Sequence, residues 1–244
     1  MKILVDSSVV QEEQWFTSFP VFINGKEDTN NKELIREIIS NKDNKTAYLS
    51  FEKLKEEYIK DDNQKTIIFT IPKSMSGQWN TYTNQNNSEN ILIVEGTAFF
   101  TNKDDVKDII NNGNSLKEIE TRIKELNDKV EMTGVVLNAK TLNLKGRVHS
   151  LIAMLIKTSN VKIKMKWKGG QWVKEKVSLN GTSLVKNVIK EKKVANIIYS
   201  NIDESYAGKI ITKIKNSFPE LIINKQCMTN SMLAHSGQDF IVIY

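Results

Sequence analysis

Three short buried-strand runs, Ile3-Leu4-Val5, Thr66-Ile67-Ile68-Phe69-Thr70-Ile71 and Ile91-Leu92-Ile93-Val94, constrain what the first half of the chain can become. A strand without a polar face has to be covered on both sides, which in soluble proteins points to a parallel sheet between helices. The intervening sequence supplies the covers. Leu34, Ile35, Ile38 and Ile39 recur at helical spacing between Lys32 and Ser40. Phe51, Leu54 and Tyr58 do the same after Ser50, a residue type favoured at helix N-caps, and the two helices join through Asn41 to Leu49. A further helix is expected after Gly77. Past the turn Asn112-Gly113-Asn114, Ser115-Leu116-Lys117-Glu118 has capping-box spacing ahead of Leu116, Ile119, Ile123 and Leu126. This alternation, continuing to about residue 140, predicts an α/β part with a largely parallel sheet.

The second half follows a different rule. Val161, Ile163, Met165 and Trp167 alternate with Lys162, Lys164, Lys166 and Lys168, and Gly169-Gly170 then turns the chain into Trp172 to Leu179. Period-two alternation around a Gly-Gly pair is a β-hairpin signal, so antiparallel sheet enters here. Helices are expected at Leu184 to Lys192 and Glu204 to Lys215, with strands at Asn196 to Ser200, Leu221 to Asn224 and Phe240 to Tyr244. The chain is therefore divided near residue 140, into an N-terminal α/β domain (1–140) and a C-terminal α+β domain (141–244).

Composition excludes several classes of function. The single cysteine, Cys227, rules out intramolecular disulfides, and with 2 histidines neither a Cys-rich zinc site nor a histidine cluster can form. No metal or cofactor is expected. The phosphate-loop, dinucleotide-binding and H-E-x-x-H signatures are absent. Asp6 stands where a secretory signal needs its apolar run, and nowhere do about 18 apolar residues occur together, so a cytoplasmic protein is expected. The net charge of +6 invites a nucleic-acid or anionic-membrane reading, but the residues in excess are Lys, Asn and Ile, all with AT-rich codons. The lysine column from Lys162 to Lys168 fits a phosphate-binding face. It equally fits the ordinary device that keeps an edge strand soluble.

What remains are small hydroxyl-rich segments at the ends of expected elements: Asp6-Ser7-Ser8, Thr46, Ser74-Met75-Ser76-Gly77, Gly146-Arg147 and His235-Ser236-Gly237. In a parallel sheet, loops at the carboxyl ends of strands gather on one edge and form the ligand crevice. Ser76-Gly77, between a strand and a helix start, can aim backbone N–H groups and a hydroxyl at a carboxylate or phosphate. The same pattern serves as a plain N-cap through Ser74 or Ser76. A histidine such as His235 is more often an ordinary hydrogen-bonded residue than a ligand contact, and Arg147 lies in a lysine-rich stretch where solvated arginine is the default.

Read in order, these segments resemble the DegV family of fatty-acid-binding proteins, which includes the FakB subunit of bacterial fatty acid kinase. Val5-Asp6-Ser7-Ser8 matches the family's opening strand and Thr-Asp-Ser loop. Lys45-Thr46 matches the start of a Lys-Thr-Ser-Gln-Pro segment, from which Ala47-Tyr48-Leu49 departs. Ser74-Met75-Ser76-Gly77-Gln78 is similar to the Ser-x-Leu-Ser-Gly-Thr motif. Leu142 to Arg147 is similar to Leu-x-x-Gly-Gly-Arg, with Lys145 in place of the first glycine. His235-Ser236-Gly237-Gln238-Asp239 is similar to the His-x-Gly-Pro-Gly ending, without its Pro-Gly.

The resemblance implies a two-domain fold with a lipid tunnel between the domains. It implies a long-chain fatty acid such as palmitate, stearate or oleate, with its carboxylate held by the Thr46 and Ser76 hydroxyls and His235 close to that polar end, Gly77 and Ser236 completing the ligand-binding set. Arg147 would face the mouth or the partner, and Leu151, Met154 and Leu155 would line the tunnel in the apolar stretch Leu151 to Ile156. It further implies a protein that performs no chemistry itself. It would present the carboxylate to a separate kinase subunit, which makes an acyl-phosphate for phospholipid synthesis. A transient membrane contact fits this role, and no specific nucleic-acid partner is implied. Alternatives are a lipid-binding protein not coupled to a kinase, and a serine hydrolase with Ser76 as nucleophile and His235 as base; the latter lacks a G-x-S-x-G elbow.

Overall fold

The computed structural model describes residues 1–9, 13–28, 32–41, 43–61, 63–138, 160–200, 202 and 205–244. The chain divides into two compact units, one of Met1–Thr29, Lys45–Val130 and Gly169–Gln171, the other of Asn30–Asn44, Glu131–Lys168 and Trp172–Tyr244.

In the first unit, β1 (Lys2–Asp6), β2 (Thr17–Phe19), β6 (Thr66–Thr70) and β7 (Ile91–Glu95) form a 4-stranded sheet in the order β2-β1-β6-β7. All its pairings are parallel. The expectation from the apolar runs holds, because every residue of β6 is buried and β7 is buried from Ile91 to Val94. A small antiparallel sheet, β4 (Lys26–Glu27), β3 (Val21–Ile23) and β5 (Thr46–Tyr48), lies in the same unit. Its hairpin turns on Asn24 and Gly25, both at positive φ, the conformation that two-residue hairpin loops require. Helices α2 (Phe51–Tyr58), α3 (Gln78–Gln85), α4 (Lys103–Asn112) and α5 (Leu116–Lys129) complete the unit. Ser50 and Ser115 cap α2 and α5 as their spacing predicts, their hydroxyls accepting from the Lys53 and Glu118 amides. Glu118 reaches back to the Asn114 N–H rather than to that of Ser115. Leu4, Phe19, Phe51, Leu54, Ile68 and Tyr82 lie in one core cluster of this unit.

The second unit is built on a 6-stranded mixed sheet in the order β10-β9-β8-β13-β11-β12. Its strands are β8 (Thr133–Val136), β9 (Lys162–Lys168), β10 (Gln171–Ser178), β11 (Val194–Tyr199), β12 (Ile222–Cys227) and β13 (Phe240–Ile243). β11 and β12 run parallel, whereas β13 is antiparallel to β11 and β8, and β8 to β9. Gly169 and Gly170 take positive φ at the predicted hairpin turn. α6 (Gly181–Ile189) and α7 (Tyr206–Ser217) bury Leu184, Val185, Ile210 and Ile214 in one cluster with Val135, Ile197 and Ile241 of the sheet. Trp172 stands edge-on to Trp167 and Phe240, with ring centroids 5.2 and 5.9 Å apart. α1 (Lys32–Ser40) contacts α8 (Asn230–Ser236) in this unit.

Several elements differ from the sequence reading. Thr46, expected in the joint between two helices, lies on β5, which is too short for a periodic signal. α4 buries Val106, Ile109 and Ile110 at helical spacing, and the sequence reading passes over it. α8 is masked: Asn230, Ser231, Leu233 and Ala234 are all buried, so no polar face marks a helical period. β8, placed by the sequence on the N-terminal side of residue 140, pairs with β9 and β13. The lysine column is also not uniformly solvated. Lys162 is 6% exposed, with its ammonium donating to the Asn160 carbonyl and Oδ1 and standing over the Tyr206 ring. Lys164 pairs with Glu175 and Lys166 with Glu131.

Candidate functional site

The carboxyl end of the first unit's parallel sheet collects polar loops, as the crevice rule anticipates. After β1, Asp6 is fully buried and its Oδ1 accepts the Ser8 N–H at 2.8 Å, closing a tight turn. Ser7 accepts the Val21 N–H, so its hydroxyl oxygen ties this turn to β3. After β6 the chain runs through Pro72, whose carbonyl accepts the Met75 and Ser76 amides, and enters α3 at Gln78.

Ser76 and Gly77 stand at the junction of this loop with the start of α3. Ser76 Oγ accepts the Gln78 N–H at 3.2 Å. That is an i to i+2 serine turn just ahead of the helix, and a hydroxyl that accepts still has its proton to donate. Gly77 is the N-cap residue of α3 and supplies no side-chain cap. Of the leading amides, that of Gln78 is held by Ser76 Oγ, and those of Trp79 and Asn80 receive no side-chain cap from Gly77, at the end where the helix dipole favours negative charge. Gly77 has φ −74° and ψ −6°, ordinary right-handed values, and a Cβ there would meet nothing within 4 Å. Neither backbone strain nor packing demands glycine at this position; it leaves open the approach to the helix end. The cation on this loop is Lys73, whose ammonium lies 5.5 Å from the Trp79 ring centroid and 3.8 Å from Glu95. Ser74 is turned away, its hydroxyl donating to the Gly170 carbonyl.

Thr46 lies on β5 and shares a strand face with Tyr48, two residues on; it is the Tyr48 hydroxyl that meets α3, 3.0 Å from Thr81 Oγ1, one turn along from Gly77. Beneath these groups is a buried polar connection. Gln78 joins Asp6 to the Ile71 amide, and Tyr82 donates to the Leu49 carbonyl at 2.6 Å. Burial pushes the Asp6 carboxyl above its ordinary range, opposed by its hydrogen bonds from Ser8 and Gln78, and burial likewise raises the Tyr82 hydroxyl. Gln78 and Tyr82 are not singled out by the sequence. Their signal is faint, a polar side chain on the covered side of an otherwise ordinary helix.

In the second unit, His235 and Ser236 occupy the last turn of α8 rather than a loop. Gly237 follows at φ 72°, the positive-φ position that ends the helix. The Ser236 hydroxyl donates to the Met232 carbonyl at 2.7 Å, so its proton is committed to its own helix. Asp239 is buried, accepts from the Tyr206 N–H at the start of α7 and from the Asn138 amide, and offers its carbonyl to Leu137. It thus joins three elements at this edge of the sheet. Near it an open depression of about 390 Å³ is lined by Asn138, Lys162, Tyr206 and Asp239 among others, and by none of the expected ligand residues. Arg147, Leu151, Met154 and Leu155 lie outside the described residues. Among the described residues no cluster of His, Cys, Asp and Glu is assembled to hold a metal ion, and no helix is long and apolar enough to cross a membrane.

Solved structures share this fold across their whole length. A DegV family protein from Eubacterium eligens loaded with heptadecanoic acid superposes with a TM-score of 0.73 at 14% identity, covering 99% of this chain and 98% of that one. The fatty acid kinase B3 protein of Streptococcus pneumoniae loaded with linoleic acid gives 0.74 at 15% identity, covering 99% and 97%. A Thermotoga maritima protein, described as revealing fatty acid binding function, gives 0.72 at 16% identity, covering 99% and 97%. No curated protein matches the chain in sequence. The family model described as an uncharacterised protein of the DegV family matches residues 2–244. The chain belongs to the DegV family.

Proposed function

We propose that this protein binds a long-chain fatty acid, of the class of palmitate, stearate or oleate, and hands its carboxylate to a fatty acid kinase subunit for phosphorylation. The observation that carries the reading is that full-length structural neighbours of this family are loaded with heptadecanoic and linoleic acids. The site chemistry supports it. A fatty acid has one charged end and a long apolar chain, so a suitable protein needs a compact set of donors and otherwise apolar surface. The Ser76 hydroxyl and the leading amides of α3 are such donors, with Thr46 supplying a second hydroxyl from β5. A carboxylate would be costly to bury without them. Arg147 is assigned to the partner-facing side, and Leu151, Met154 and Leu155 to the acyl chain.

On this reading the protein is a carrier and the chemistry belongs to the kinase, which transfers a phosphoryl group to the presented carboxylate. The product is an acyl-phosphate, an activated acyl donor for phospholipid synthesis. Purified protein analysed by native mass spectrometry, followed by solvent extraction, is expected to yield stoichiometric C16 to C18 fatty acids. Protein that is free of lipid, and that takes up none when incubated with oleate, overturns the reading.

Gly77 provides a sharper check. Gly77→Val adds a side chain in open space at an ordinary φ, so the fold is expected to be kept, with an unfolding free energy in urea within about 1 kcal/mol of wild type. The side chain then stands over the amides that receive the carboxylate, and oleate affinity is expected to fall by about tenfold or more. Unchanged affinity in a folded Gly77→Val protein removes the start of α3 from the site.

A further inference from the structure

Gln78 is the first residue of α3 and is fully buried. Its amide oxygen accepts the Ile71 N–H at 3.2 Å, and its amide nitrogen donates to Asp6 Oδ2 at 2.6 Å. The orientation of that amide is set by chemistry. The Ile71 N–H needs an acceptor, so only the oxygen can face it, and the nitrogen then faces Asp6, which must accept. The other Asp6 oxygen already accepts the Ser8 N–H. Tyr82, one turn further along α3, has its hydroxyl 3.5 Å from the Gln78 amide nitrogen and donates to the carbonyl of Leu49, the residue after β5. One side chain thus clamps the two ends of loop 71–77 together and ties them to the β1 turn. Its neighbour holds the end of the strand that carries Thr46. Two of these segments, loop 71–77 with the start of α3, and β5, are those from which the first unit's donors come.

We propose that Gln78 is the positioning residue of the head-group site, and that its clamp on Ile71 and Asp6 holds the Ser76 hydroxyl and the first amides of α3 in the arrangement that meets a carboxylate. This rests on the fatty-acid reading above. Gln78 does not touch the ligand; it acts through the loop. Its loss therefore acts on recognition of the charged end and spares the apolar tail.

The test compares oleic acid with oleyl alcohol, which has the same tail and no charge, on delipidated full-length protein. Gln78→Met keeps the volume and removes both hydrogen bonds. It is expected to weaken oleic acid by about tenfold or more while changing oleyl alcohol by less than about twofold. Gln78→Glu sets two buried carboxylates face to face and is expected to lower the thermal midpoint most. Asp6→Asn combined with Gln78→Glu restores a donor for every acceptor. The carboxylate introduced at position 78 accepts from the Ile71 N–H and from the amide introduced at position 6, whose own oxygen accepts from Ser8. The double variant is expected to recover both the midpoint and the acid-over-alcohol preference, the latter to within about threefold of wild type. A folded Gln78→Met protein with wild-type preference overturns the proposal, as does a double variant that regains the midpoint without the preference, or one that regains neither. Wild-type protein that binds neither compound overturns the fatty-acid reading itself, and this inference with it.

Discussion

Lengthening a saturated fatty acid from ten to sixteen carbons is expected to tighten its binding to the delipidated protein by about three orders of magnitude. Each buried methylene contributes about 0.8 kcal/mol, so six of them contribute about 5 kcal/mol. The entropic cost of association and the head-group contacts are common to the whole series and cancel in the comparison. On the proposed reading the head group, met by the hydroxyls and amides at Thr46, Ser76 and Gly77, would set orientation, while the tail would set affinity. Displacement of a fluorescent fatty acid by each member of the series measures the slope, and the length at which the slope flattens gives the depth of the apolar site. An affinity independent of length from the shortest acid onward would show that the tail stays in water, and the carrier reading would fail.

The second large effect is on stability. Tyr82 is fully buried, with its ring centroid 5.2 Å from Phe51, 5.9 Å from Tyr48 and 6.4 Å from Phe19. Tyr82→Ala is expected to lose about 3–5 kcal/mol in urea unfolding, from the cavity left among those rings. That is a large share of the ~5–15 kcal/mol available to a typical domain, so the variant is expected to be partly unfolded at 37 °C. Tyr82→Phe keeps the ring and removes only the donor to the Leu49 carbonyl. Its loss is expected to be smaller, about 1–3 kcal/mol, the penalty for a buried carbonyl without a partner. If Tyr82→Phe unfolds at the wild-type urea concentration, the hydroxyl contributes nothing and the connection from α3 to Leu49 is incidental.

The elements legible in the sequence are those whose burial pattern is locally complete. β6 is buried along its whole length, α1 and α5 repeat apolar residues at helical spacing, and the β9–β10 hairpin alternates around Gly169-Gly170. Each carries its own period, so a window of about a dozen residues suffices to read it. β5 has 3 residues and no complete period, and α8 is buried on most of its circumference and has no polar face to set one. The position of Ser76-Gly77 between a strand and a helix start is legible for the same local reason: it depends on the order of neighbouring elements. Lys162 escapes such a reading because alternation along β9 distinguishes two faces and not which parts of a face are covered. The cover over Lys162, with Asn160 and the Tyr206 ring, includes a residue far along the chain.

By itself, then, the sequence determined the parallel α/β character of the first half, the antiparallel entry in the second, and the order of motifs that marks the DegV family. The first two are properties of residue spacing, which backbone periodicity turns directly into strands, helices and turns, and the third is a resemblance carried by short motifs. The tertiary structure alone decided how the site is held. The contact between Gln78 and Asp6 joins residues 72 positions apart, and that between Tyr82 and Leu49 joins residues 33 apart. Hydrogen bonds of a few ångströms between distant segments depend on how strands are ordered in the sheet. The order β2-β1-β6-β7 puts the β1 and β6 loops side by side, and no local pattern along the chain encodes that adjacency.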